Sequence, residues 1–200
     1  MAQRQHRFPG VTRHLLREAV IDATAEVADR SGWESLRMGD VAVAVGISRQ
    51  TLYAEFGSKP ALIRAVVLRR TDLLLGALSD VLADAGGDEQ EAVRTCCRFV
   101  LNAARDDPMV TCLLTGAESG LLDLVTTDSA PIIDRATAAL TGHVLRRRPS
   151  ADPRRVAVAA DALARLLVSH VVLPDRDVDT VAGEIAELVG PYLREVLSTG

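Results

Sequence analysis

The chain has 200 residues, of which 48% are apolar and 25% charged, and its formal net charge is −4 at pH 7. This composition excludes disorder along most of the length and allows one large domain or two small ones. Taken as a total, the acidic balance speaks against a nucleic-acid partner, because such proteins usually carry a basic excess.

Aromatic residues are only 3%, no run alternates like a strand, and helical periodicity recurs from end to end. The expected class is all-α with about nine helices. Leu16, Val20, Ala23 and Val27 recur at helical spacing and place the first helix at about residues 12–30, ended by Gly32. A short helix from Met38 to Val45 stops at Gly46. Ser48 then caps a third helix reaching Phe56, which Gly57 closes. Ser58 and Pro60 open a fourth helix running to about Asp84, with Gly86 and Gly87 after it. Five more helices are placed at about 88–105, 107–117, 129–147, 153–172 and 178–198, separated by proline and glycine breaks such as Pro108, Gly120, Pro149 and Pro174.

No apolar stretch approaches the roughly 18 residues of a membrane span. The N-terminal MAQRQHRFPG is basic with no apolar stretch behind it, so a cytoplasmic chain with no membrane partner is expected. Cys96, Cys97 and Cys112 form neither a disulfide framework nor a zinc-ligand spacing; they read as reduced, buried thiols, with a redox-sensing pair as the alternative. No cofactor or metal is expected. The histidines His6, His14, His143 and His170 are scattered and give no catalytic signature, so an enzyme is not expected.

The run from Met38 to Phe56 has the form of a helix-turn-helix. Val41, Ala42 and Val45 point inward from its first helix and Leu52 from its second, and Gly46 suits the turn because glycine accepts a positive φ. The second helix would turn Arg49, Gln50, Thr51, Tyr53 and Glu55 outward. Guanidinium and amide groups can read base edges there, and hydroxyls can hold phosphates. Lys59, the only lysine of the chain, stands at a helix N-terminus, where backbone N–H groups also favour phosphate.

The segment GWESLRMGDVAVAVGISRQTLYAEFGSKPALI resembles the DNA-binding domain of TetR-type bacterial transcriptional regulators. The resemblance rests on Gly32 and Leu36, Val41-Ala42, Gly46-Ile47-Ser48, Thr51-Leu52-Tyr53 with Phe56, and Ser58-Lys59 with Leu62, and it covers about 50 residues. It implies that Tyr53 and Lys59 hold DNA phosphates, that Arg49, Gln50 and Thr51 contact bases or backbone, and that Arg37 and Ser48 join the interface. Two departures stand out: Arg37, Met38 and Gly39 occupy a stretch where members often carry Thr or Ser and then Arg, and Ala54 follows Tyr53. Residues 1–59 would form the DNA-binding domain and 60–200 an effector-binding and dimerisation domain. The four arginines of the first 17 residues, Arg4, Arg7, Arg13 and Arg17, could lie along phosphates or enter the minor groove, a frayed solvated terminus being the alternative.

In the second half, the stretch from Ala157 to Leu173 is apolar nearly all round, broken by Asp161, Arg165 and Ser169, so most of its surface needs covering. The last helix offers Val181, Ile185, Leu188, Tyr192 and Val196 at helical spacing. Packing both against their symmetry copies would make a homodimer, the arrangement the resemblance implies; completion of the monomer core is the alternative. The resemblance also implies a small-molecule effector pocket in the middle helices. Its candidate lining is mostly aliphatic: Val93, Cys97, Phe99, Val100, Leu101, Leu113, Leu114, Leu121, Leu122 and Ile133, with Arg105, Thr115, Glu118 and His143 as polar groups. Such a lining suits a hydrophobic effector. Arg146, Arg147 and Arg148 are explained by the helix dipole.

The resulting expectation is a ligand-responsive repressor that binds a palindromic double-stranded operator. The rival is a helical protein-interaction module that has lost DNA binding. Charge distribution favours the first: residues 1–59 hold 8 basic and 7 acidic side chains, against 15 and 20 in residues 60–200. The acidity belongs to the part that need not touch DNA.

Overall fold

A computed structural model describes residues 9–84, 88–114 and 129–198. Among them it shows nine α-helices and no strand: α1 (Pro9–Ser31), α2 (Met38–Val45), α3 (Arg49–Phe56), α4 (Lys59–Asp84), α5 (Glu89–Asp106), α6 (Pro108–Leu114), α7 (Ala130–Arg147), α8 (Pro153–Val172) and α9 (Val178–Ser198). The first begins at Pro9, a turn earlier than the apolar spacing suggests, because proline is tolerated in the first turn of a helix. The chain divides into two compact units, Met1–Arg69 and Arg70–Gly200, and the division falls within α4.

In the first unit the buried side chains come from every helix: Val20, Ile21 and Val27 of α1, Val41 and Ala42 of α2, Leu52 and Phe56 of α3, and Leu62, Ile63 and Val66 of α4. Trp33 and Leu36 from the α1–α2 connection are buried too. The one buried polar residue among those described is Thr24, whose hydroxyl donates to the Val20 carbonyl at 2.6 Å. That bond removes the cost of an unsatisfied hydroxyl in a core.

The second unit is held by a core that joins Leu78 and Leu82 of α4, Val93, Cys96, Cys97 and Leu101 of α5, Leu140 of α7, Leu163 and Leu167 of α8, and Val181, Ile185 and Val189 of α9. The helix starts are set locally. Asp88 accepts from the Glu91 N–H at 2.9 Å, and Asp152 accepts from the Arg154 N–H at 2.9 Å just before Pro153. The helices α5 and α9 approach closely at Gly190, where a Cβ would stand 2.9 Å from Gln90 Cα. Pro191 lies inside α9 but is exposed. Two arginines at the end of α7 have specific partners: Arg147 donates to the Leu82 carbonyl and Arg146 reaches Ser79 Oγ at 3.5 Å.

Candidate functional site

The turn between α2 and α3 is built by glycine and serine. Gly46 caps α2 in the left-handed region, at φ 74° and ψ 32°, and its N–H reaches the carbonyls of Ala42 and Val43. The Ile47 N–H also donates to Ala42 O, at 3.0 Å, which pulls the chain into the sharp turn that separates the two helices. Ser48 then takes extended geometry and its Oγ accepts from the Thr51 N–H at 3.0 Å, with Thr51 Oγ1 2.9 Å away. At the far end, Gly57 has φ 77° and donates to Tyr53 O at 2.8 Å. Ser58 Oγ accepts from the Ala61 N–H at 3.3 Å and so starts α4.

With Leu52 and Phe56 buried, the opposite face of α3 carries Arg49, Gln50, Thr51 and Tyr53 exposed in succession. Tyr53, at 48% exposure, is one of the few large apolar side chains left in solvent. Arg37 is exposed at the cap position of α2, where its side chain makes no capping bond. Lys59 is half-buried at the first residue of α4. The first unit therefore holds all seven DNA-contact candidates within Arg37–Lys59.

Glu55 behaves differently from its neighbours on α3. Its carboxylate accepts from Arg13 Nε at 2.8 Å and from Arg17 Nη1 at 2.8 Å, and Arg17 Nη1 also donates to the Glu55 carbonyl at 3.0 Å. The Arg17 guanidinium stands 4.5 Å from the centre of the Phe56 ring, a cation–π distance. Hydrogen bonding to Arg17 first of all, with Arg13 adding to it, holds the Glu55 carboxyl below its ordinary value against the opposing effect of burial. The sequence expectation turns Glu55 outward and leaves Arg13 and Arg17, at the start of the first helix, open to phosphates; in the structure both arginines of α1 pair with Glu55 and clamp the end of α3. Arg4 and Arg7 lie outside the described residues.

The second unit contains a cavity of about 220 Å³ walled by Leu82, Val93, Cys96, Leu140, Leu163 and Val189, with His143, Arg147, Asp88 and Glu89 as polar edges. His143 has a lowered pKa, mainly from burial and further from the charges of Arg147 and Arg146. A second cavity of about 260 Å³ is lined by Leu101, Arg105, Thr111, His170 and Val181, among others. Of the other pocket candidates, Cys97 is buried in the core, Phe99 and Val100 pack against that core, and Ile133 is buried in α7. Leu114 closes α6. Glu118 and Leu122 lie outside the described residues, as do Thr115 and Leu121. Of these walls the sequence candidates include Val93 and His143 but not Leu82, Cys96, Leu140, Leu163 or Val189; Cys96 lies one position from Cys97, and helical periodicity does not tell which cysteine faces the space.

Comparison with known proteins agrees with this architecture. Residues 20–66 match the family model for bacterial regulatory proteins of the tetR family, and residues 88–191 match that for a bacterial tetracyclin repressor C-terminal domain. The HTH-type transcriptional regulator AlkX of Mycobacterium tuberculosis is 37% identical over 186 residues, covering 92% of this chain and 88% of that protein. A solved structure of the TetR family repressor AlkX from a Dietzia strain, implicated in biodegradation of n-alkanes, is 31% identical with a TM-score of 0.78, covering 90% of this chain and 96% of that one. A TetR-family regulator from Streptomyces coelicolor is 26% identical with a TM-score of 0.55, covering 91% and 99%. No helix among the described residues is long and apolar enough to cross a membrane. With a helix-turn-helix in one unit, a helical second unit and relatives matched along nearly the whole length, the chain belongs to the TetR family of DNA-binding, ligand-responsive transcriptional regulators, which is not a family of enzymes.

Proposed function

We propose that this regulator is a cytoplasmic repressor that binds a palindromic double-stranded operator as a homodimer and releases it when a small hydrophobic effector binds. The observation that carries this reading is the outer face of α3, where Arg49, Gln50, Thr51 and Tyr53 are exposed while Leu52 and Phe56 anchor the helix from beneath. Arg49 and Gln50 have the chemistry to read guanine and adenine bidentately. Tyr53, Lys59, Ser48, Thr51 and Arg37 supply phosphate or backbone contacts. In this reading residues 1–59 carry the DNA contacts, and residues 60–200 carry the effector pocket and the dimer interface.

Dimerisation through α8 and α9 is supported by uncovered apolar side chains: Val158 of α8 is 59% exposed, Leu188 of α9 67%, and Leu173, just past the end of α8, 66%. A two-fold dimer sets the two recognition helices about 34 Å apart, one turn of DNA, and hence calls for a palindrome. The aliphatic cavity beside His143 supports a hydrophobic effector, as does the n-alkane connection of the Dietzia relative. Cys97, Phe99, Val100, Leu101, Leu114, Glu118 and Leu122 remain candidate pocket residues. The effector acts only through its preference for a dimer whose recognition helices no longer fit the operator.

A mobility-shift assay on the promoter region of the chain's own gene tests the reading. Arg49→Ala and Gln50→Ala should each weaken binding by about 1–3 kcal/mol. No shift by the wild type even at low salt would leave the helical interaction module standing in its place.

A further inference from the structure

Gly39 lies in the first turn of α2, where glycine is a poor helix former, and it is nevertheless buried. What covers it is Arg49, the first residue of α3. A Cβ at position 39 would stand 2.2 Å from Arg49 Nη2, 2.7 Å from Cζ and 2.8 Å from Nε. The guanidinium therefore occupies the space that any other residue at 39 would fill with its own side chain. Among the described residues nothing hydrogen-bonds or ion-pairs to that guanidinium, so its donors stay available.

We propose that Gly39 is a positioning residue for base recognition: its missing Cβ makes the seat on which the Arg49 guanidinium rests, and the seat fixes which base edge Arg49 addresses. The proposal rests on the assignment of α3 as the recognition helix. Bidentate pairing with guanine depends on the plane in which the two N–H groups are offered. A seated guanidinium meets the base edge with that plane already set and loses less rotamer freedom on binding. A displaced one samples several planes and discriminates less. The glycine that departs from the family pattern at the start of α2 thus acquires a role across the turn, on the other helix of the motif.

Duplexes selected by the wild-type chain from a randomised pool provide the probe, and fluorescence anisotropy then measures affinity and single-base preference for the wild type, Gly39→Ala, Arg49→Ala and the double variant. Gly39→Ala should bind the selected duplex about five- to tenfold more weakly and lose its preference at the base pair where Arg49→Ala loses it. In the Arg49→Ala background the same change should cost nothing further. Alanine favours a helix more than glycine, and only the mobile end of a long side chain stands in its way, so far-UV circular dichroism should report an unchanged fold. Arg49→Lys leaves Gly39 in place but removes the planar fork, and it should lose the same base preference. Wild-type preference in Gly39→Ala or in Arg49→Lys overturns the proposal. So does an equal cost of Gly39→Ala with and without Arg49, which would put the effect in α2 itself. If Arg49→Ala binds and discriminates like the wild type, the role of Arg49 in DNA reading falls as well. If Arg49→Ala is impaired and Gly39→Ala is not, only the seat falls.

Discussion

Glu55 sits next to last in α3, and two arginines from α1 close on its carboxylate while one of them also takes its carbonyl. Because the folded state lowers its pKa, the unfolded chain takes up the proton first. The stabilisation is therefore full above the ordinary glutamate value of about 4.3 and is lost as pH falls through the lowered one. Glu55→Gln should cost about 1–2 kcal/mol at neutral pH, with a gap to the wild type that narrows on acidification below that range. Thermal melts across a pH series check this, and a gap that stays constant into strong acid would remove the ion pairs as its source. The cysteines illustrate a different residue-scale effect. Burial pushes the Cys96 thiol up to about 12, and burial together with neighbouring Cys96 raises Cys97 as well. Neither forms thiolate at neutral pH, so mass spectrometry after brief native alkylation should find both unmodified, with modification appearing only in denaturant. Rapid native labelling of either would revive a redox-sensing pair.

At the scale of the element, α3 has eight residues, too few to be stable by itself in water. Its persistence depends on its two ends. Ser48→Ala removes the bond to the Thr51 N–H and should destabilise the first unit by about 1 kcal/mol, while Gly46→Ala places a side chain at φ 74° and should cost about 1–2 kcal/mol. Urea titrations read both, and an unchanged midpoint for either variant would mean that its end of the turn contributes nothing. These devices were legible in the sequence because a cap or a left-handed turn is encoded within three or four residues. The clamp at the other end was not. Arg17 and Glu55 are 38 positions apart, and helical periodicity says which face a residue occupies but not what another helix brings to it. The seat of Arg49 on Gly39 was hidden for the same reason: at the level of sequence Gly39 was only a departure from a family pattern.

For the whole molecule, the net charge of −4 resolves into a nearly balanced first part and an acidic remainder. A small basic footprint neutralises few phosphates and releases correspondingly few counterions from the DNA, so binding to non-specific DNA should be weak. The exposed apolar residues of α8 and α9 lead to a prediction about assembly. Leu188 is 67% exposed on one chain, and a charge there would be desolvated in a dimer but harmless in a monomer. Sedimentation at micromolar concentration should give a dimer for the wild type and a monomer for Leu188→Glu with its helical spectrum intact. A monomeric wild type would assign both helices to the monomer core alone.

The helical class, the bounds of the two helix-turn-helix helices, the turn glycine, the cap serine and the exposure of Arg49, Gln50, Thr51 and Tyr53 on α3 were determined by the sequence itself, because each follows from apolar spacing or from chemistry within one turn of chain. The tertiary structure decided which charges are free. It paired Glu55 with Arg13 and Arg17, set the Arg49 guanidinium over Gly39, and put Cys96 in the wall of the cavity. Those outcomes depend on how helices distant in sequence meet, and the direction of a side chain toward a partner exists only once the partner helix is in place.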